Sequence, residues 1–164
     1  MAANKKPISL GNIIRDITTG MTGTCTSRTD FMTGNVQYTI QPTITKGASA
    51  APEGLSCDEL QLDYVSAGAA DRVTPAPDNI GITLGHTVTD IVSGFTGIAT
   101  KKITFMNGCV YYVVVAKMSK NGTVKEAFCE YQHLTAVDAG VVHKLMPKPK
   151  TAYTGGPNTK PYKR

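Results

Sequence analysis

An internal repeat constrains this chain more than any other feature of its 164 residues. Shifted by 74 positions, Leu10-Gly-Asn-Ile-Ile-Arg-Asp16 falls on Leu84-Gly-His-Thr-Val-Thr-Asp90, Gly20-Met-Thr-Gly23 on Gly94-Phe-Thr-Gly97, and Phe31-Met-Thr-Gly34 on Phe105-Met-Asn-Gly108. Between Ile8 and Pro42 the shift gives 14 identities in 35 positions, where unrelated sequence of ordinary composition gives about two or three. After a two-residue contraction the register resumes, with Cys57 on Cys129, Leu62 on Leu134 and Val65 on Val137. The chain is a tandem duplication, and each copy must fold within about 55 residues, near the lower limit for a self-supporting core. The boundaries read as an N-terminal arm 1–7, copy 1 at 8–65, a linker 66–81, copy 2 at 82–137 and a C-terminal arm 138–164.

Within a copy, Thr, Val and Ile dominate between single glycines and prolines, which favours short strands. The first strand covers Ile13 to Thr18 or Thr87 to Val92, and the paired glycines of Gly20–Gly23 or Gly94–Gly97 predict a tight turn with positive φ. A second strand runs to Phe31 or Phe105 and ends at a hairpin marked by Thr33-Gly34 or Asn107-Gly108, and a third starts at Val36 or Val110. A variable loop, Thr43 to Gly54 or Lys117 to Val124, precedes two short strands around Cys57 or Cys129 and up to Val65 or Val137. No amphipathic helix of ten residues is present. Five short strands in so few residues predict an all-β chain of two tandem, five-stranded, small closed barrels with extended arms at both ends.

The run Gly-x-x-Ile/Val-x-Asp-x-x-x-Gly-Met/Phe-Thr-Gly, at Gly11 to Gly23 and Gly85 to Gly97, resembles the opening hairpin of KOW-type SH3-like barrels over about a third of each copy. With Phe105-Met-Asn-Gly-Cys109 behind it, the pattern is also similar to small domains of accessory virion proteins of tailed bacteriophages, over most of both copies. That second resemblance implies a phage setting rather than a mechanism.

Several classes are not expected. The start, Met1-Ala-Ala-Asn-Lys-Lys-Pro7, lacks the apolar stretch of a secretory signal. The longest apolar run, Cys109 to Ala116, is eight residues, far below the roughly 20 that cross a bilayer. Asp16 and Asp90 repeat, but no second titratable group repeats beside them, so they read as turn-capping carboxylates. His86, His133 and His143 hold unrelated places without metal-ligand spacing. A phosphate cradle needs glycines that open a helix with a lysine beside them, and no helix follows the repeated glycines. No Gly-x-Ser-x-Gly elbow occurs. Neither an enzyme nor a metal or other cofactor is expected.

Cys25, Cys57, Cys109 and Cys129 contain no C-x-x-C pair. Free buried thiols are the first reading for a product of the host cytoplasm. Disulfides Cys25 to Cys57 and Cys109 to Cys129 are the second, should a particle mature outside the cell.

The net charge of +5 resolves by region: residues 8–138 carry nine basic against twelve acidic side chains, and the excess belongs to the arms. Lys5 and Lys6 lie in the first, and Lys144, Lys148, Lys150, Lys160, Lys163 and Arg164 in the second, which has no acidic residue after Asp138. The Pro-spaced run from Met146 cannot fold alone and, fully extended, the arm spans roughly 80 Å. It therefore orders by lying along a partner, for example by strand addition to a sheet edge. The Pro/Ala linker reads as extended and moderately stiff, able to hold two barrels apart.

These features favour a non-enzymatic structural component of a phage virion: a head decoration or cement protein, a collar part or a tail accessory protein that bridges neighbouring subunits through its arms. The expected partners are major capsid, neck or tail subunits, or further copies of the chain; no membrane is expected, and the protein is made in the host bacterial cytoplasm and resides in the virion. The alternative is a KOW-like nucleic-acid-binding module with a basic tail, for which Phe31/Phe105 and Tyr38/Tyr112 are the repeated aromatics. Their alternation favours burial instead.

Overall fold

A computed structural model describes residues 6–44, 46–47, 52–78 and 80–141. Copy 1 forms β1 (Ile13–Asp16), β2 (Thr22–Phe31), β3 (Val36–Pro42), β4 (Leu55–Asp58), a short 3-10 helix (Glu59–Gln61) and β5 (Leu62–Ser66). Copy 2 repeats the order with β6 (Thr87–Asp90), β7 (Thr96–Phe105), β8 (Val110–Val115), β9 (Glu126–Glu130), a 3-10 helix (Tyr131–His133) and β10 (Leu134–Asp138). The chain is all-β, and every pairing is antiparallel. Within copy 1 the lateral order is β5-β1-β2-β3-β4, and copy 2 has the same order, β10-β6-β7-β8-β9. Among the described residues the ladder does not close on itself in either copy, where closed barrels were expected: β4 and β5 do not pair with each other. Among the described residues no helix is long and apolar enough to cross a membrane.

Each copy has its own core, and the cores correspond residue by residue. Ile14, Cys25, Tyr38, Ile40, Cys57 and Leu62 match Val88, Ala99, Tyr112, Val114, Cys129 and Leu134, all buried. Alternation in the strands puts them on one face. The phenol of Tyr38 donates to the carbonyl of Ile8 at 3.2 Å, and that of Tyr112 to Ile82 at 3.0 Å, so the two buried hydroxyls have equivalent partners. Burial pushes both phenols up to about 12.

The glycines divide into two kinds. Gly20 and Gly94 have φ of 77° and 72° and supply the turn conformation. Gly23 and Gly97, expected to do the same, do not have positive φ. They are required for space, because a Cβ there would run into the carbonyl of Gln41 or Val115 on the adjacent strand.

The two halves are not held apart. β2 and β7 pair directly, with Ser27 opposite Phe105, Thr29 opposite Ile103 and Phe31 opposite Lys101. Thr29 and Ile103 are the same position of the two copies, so the ladder is centred on a local two-fold axis through them. Flanking hydrogen bonds obey the same symmetry: Met32 N–H donates to Thr100 O at 2.8 Å, and Met106 N–H to Thr26 O at 3.0 Å. A register shift at Cys25/Ser27 in β2, and its equivalent at Ala99/Lys101 in β7, make this possible. Each bulge bends its long strand, so that one edge pairs first with β1 or β6 of its own copy and then, across the axis, with the other long strand.

The linker packs rather than spaces. Residues Ala70–Arg72 form a 3-10 helix, Thr74 N–H donates to Met106 O at 2.8 Å, and Ala76 and Ile80 pack against the copy 2 core.

Candidate functional site

The direct β2–β7 pairing makes β4-β3-β2-β7-β8-β9 one continuous run of six hydrogen-bonded strands. One face of it carries the cores. The other face points away from them and differs sharply between the copies. In copy 1 its central row is Ser27, Thr39 and Ser56, joined by hydroxyl contacts of 2.9 and 3.2 Å. The equivalent row in copy 2 is Lys101, Val113 and Phe128, in direct cross-strand register. The adjoining row changes in the same sense, from Thr29 and Gln37 to Ile103 and Tyr111.

The result is an aromatic patch on copy 2 alone. Tyr111 stacks on Phe128 with ring centroids 4.8 Å apart, and Phe105 meets Tyr111 edge-on at 5.9 Å. Phe128 remains 56% exposed at the end of this cluster. The rim is acidic, since Glu126 and Glu130 on β9 pair with Val115 and Tyr111 and share their face. Lys101 reaches back across the two-fold axis, its ammonium 5.4 Å from the Phe31 ring centroid. An apolar aromatic centre with a charged rim has the anatomy of a protein-docking patch. Two carboxylates at its edge oppose the approach of a phosphate backbone.

The repeated aromatics separate accordingly. Tyr38 and Tyr112 are 2% and 0% exposed core residues, whereas Phe31 and Phe105 are half-buried. Tyr111 and Phe128 escape a reading based on identities between copies, because Gln37 and Ser56 occupy the matching positions. Their signal is the alternation Val-Tyr-Tyr-Val-Val-Val in β8 with a phenylalanine on the neighbouring strand, apolar on both faces.

The repeated carboxylates close turns. Asp16 accepts from the Thr19 hydroxyl at 2.6 Å and from the Thr18 and Thr19 amides, and Asp90 accepts from the Ser93 hydroxyl at 2.7 Å and the Val92 amide. Those donors hold both carboxyls below the ordinary carboxylate value. All four cysteines are free thiols, so neither the Cys25–Cys57 nor the Cys109–Cys129 bridge is formed. Burial pushes the Cys25 thiol up to about 12, and raises Cys57 and Cys129 with help from the adjacent Asp16 and Asp90. Those three thiols are poor nucleophiles. Among the described residues no group of three His, Cys, Asp or Glu side chains is placed to hold a metal ion. Lys144, Lys148, Lys150, Lys160, Lys163 and Arg164 lie outside the described residues.

No family model, curated protein or solved structure matches this chain.

Proposed function

We propose that the chain is a non-enzymatic structural component of a phage virion, a decoration, collar or tail accessory protein, built from two SH3-like small barrels. The strand order β5-β1-β2-β3-β4, with a 3-10 helix between the last two strands of each copy, supports the barrel assignment. The observation that carries the functional reading is the aromatic, acid-rimmed face of copy 2 on a sheet that joins both copies. It offers a firm surface for another protein, and it differs from the hydroxyl- and amide-lined face of copy 1. The basic arms add a second, electrostatic means of engaging an acidic neighbour. The nucleic-acid alternative has less support, because among the described residues Lys101 is the one cation of the patch and Glu126 and Glu130 flank the patch.

Mass spectrometry of purified particles from the encoding phage tests the location: stoichiometric copies are expected, and absence from the particle overturns it. A chain carrying Tyr111→Gln and Phe128→Ser, the residues copy 1 uses, tests the surface. It should fold, as judged by an unchanged far-ultraviolet spectrum, and fail to incorporate. Normal incorporation would remove the patch from the reading. Filter binding across a salt series addresses the alternative, which a steep salt slope would revive.

A further inference from the structure

A groove of about 370 Å³ lies in copy 1 between the β2–β3 hairpin, Gly34 to Val36, and the segment Asp58 to Gln61. The matching place in copy 2 is covered by the linker: a Cβ on Gly108 would stand 3.0 Å from both Pro75 O and Thr74 Cγ2, and Tyr131 and Ala76 pack against one core. Five of the seven equivalent pairs that line it show the difference. Val36 is half-buried and Val110 fully buried, while Gly34, Asn35, Asp58 and Glu59 are exposed where Gly108, Cys109, Glu130 and Tyr131 are half-buried.

The duplication extends further along the chain than Val65/Val137. At the same 72-residue shift, Ala67-Gly68 falls on Ala139-Gly140, and Thr74-Pro-Ala-Pro-Asp78 on Met146-Pro-Lys-Pro-Lys150. The described part of this second segment already follows the two-fold symmetry. Gly68 and Gly140 have φ of 54° and 55°. Ala69 N–H donates to Gly11 O at 2.8 Å, and Val141 N–H to Gly85 O at 2.8 Å. Five residues after Ala69, the linker reaches Met106 on the other copy. The symmetry-related target, five residues after Val141, is Met32, whose sulfur already lies 3.8 Å from where a Gly85 Cβ would be.

We propose that residues 146–150 return to the same chain and fill the copy 1 groove, with Met146 bonded to Met32 O and Pro147 over Gly34. The occupant differs from the linker in charge, with Lys148 and Lys150 replacing Ala76 and Asp78, and the groove differs to match, with the Glu59 carboxylate replacing the Tyr131 phenol beside an acid, Asp58 or Glu130, that both copies keep. The arm is thereby divided. Its first part clamps the two copies together from the opposite side to the linker, and Lys160, Lys163 and Arg164 are left for a partner. This clamp stands independently of the virion reading.

Solution NMR of the full chain tests it. Nuclear Overhauser contacts between Pro147 and Gly34 are expected to mirror those between Pro75 and Gly108, and the Met146 and Thr74 amides should both exchange slowly. In a mixture of labelled and unlabelled chains the contact should remain within one chain. Random-coil shifts for residues 146–150, contacts that cross between chains, or residues 1–5 found in the groove instead would each overturn the proposal. The Lys148→Glu, Lys150→Glu chain should lose the Pro147–Gly34 contact while keeping Pro75–Gly108, which reports that the fold is intact. Persistence of the contact would overturn the role of Asp58 and Glu59.

Discussion

Thr29 and Ile103 occupy one position of the repeat and stand directly opposite each other, at the centre of the β2–β7 ladder. A residue facing its own counterpart is the mark of an isologous contact, the geometry of a symmetric dimer, here between two parts of one chain.

Thr29→Val should therefore stabilise the protein, because a β-branched apolar side chain at the axis makes a better cross-strand partner for Ile103. The gain expected is about 0.2–1 kcal/mol. Urea unfolding would show it as a higher midpoint with an unchanged slope, and a lower midpoint would argue against a formed β2–β7 ladder.

The two glycines of the first turn should respond differently to alanine. Gly20→Ala places a side chain at positive φ in open space, at a cost of roughly 1–2 kcal/mol. Gly23→Ala drives a methyl group into the Gln41 carbonyl and must displace β3, so it should cost more, up to about 3 kcal/mol. Melting temperatures of both variants, with Gly94→Ala and Gly97→Ala as the copy 2 replicates, give the ranking.

Acid should destabilise the protein through Asp16 and Asp90. The Thr19 and Ser93 hydroxyls, followed by backbone amides, hold these carboxyls below their ordinary value in the folded state. A depressed folded value gives stabilisation that is fully present above the unfolded value, about pH 4, and lost as pH falls through the folded one. Asp16→Asn and Asp90→Asn should lower stability at neutral pH and flatten its decline between about pH 4 and pH 2. An unchanged acid limb in the double variant would show that the two turns do not carry it.

Thiol labelling should separate the cysteines. Cys109 is half-exposed, while Cys25, Cys57 and Cys129 are buried with raised thiols. Iodoacetamide at pH 8 should modify one cysteine per native chain rapidly, with the other three slower by at least tenfold, and all four alike in denaturant. Mass mapping identifies the site, and fast modification of Cys25 would contradict its place in the core.

The repeat made much of the fold legible, because a position that is apolar in both copies, such as Tyr38/Tyr112 or Leu62/Leu134, is constrained twice. The β1–β2 and β2–β3 hairpins followed from turn chemistry at Gly20, Gly34 and their counterparts, whereas the return of β5 to the edge of β1 had no local signal. The joining of the copies was hidden, since the β2–β7 register depends on a bulge at Cys25/Ser27 that no residue pattern announces. The aromatic face was hidden for the opposite reason. Tyr111 and Phe128 lie where the copies differ, and comparing copies rewards identity. The kinship of linker and arm lay in sparse residues, Gly68/Gly140 and Pro75/Pro147, separated by runs that had diverged.

Covalent connection changes what the two-fold ladder costs to form and what it permits. Separate single-copy chains pairing through the same strand would assemble only above their dissociation constant, whereas tethering sets the effective concentration near the millimolar range regardless of protein level. A homodimer must also apply every substitution twice. Once Phe128 and Ser56 reside in one polypeptide, one side of the pair can turn sticky while the other stays wet, and a body built from two like parts acquires a front and a back.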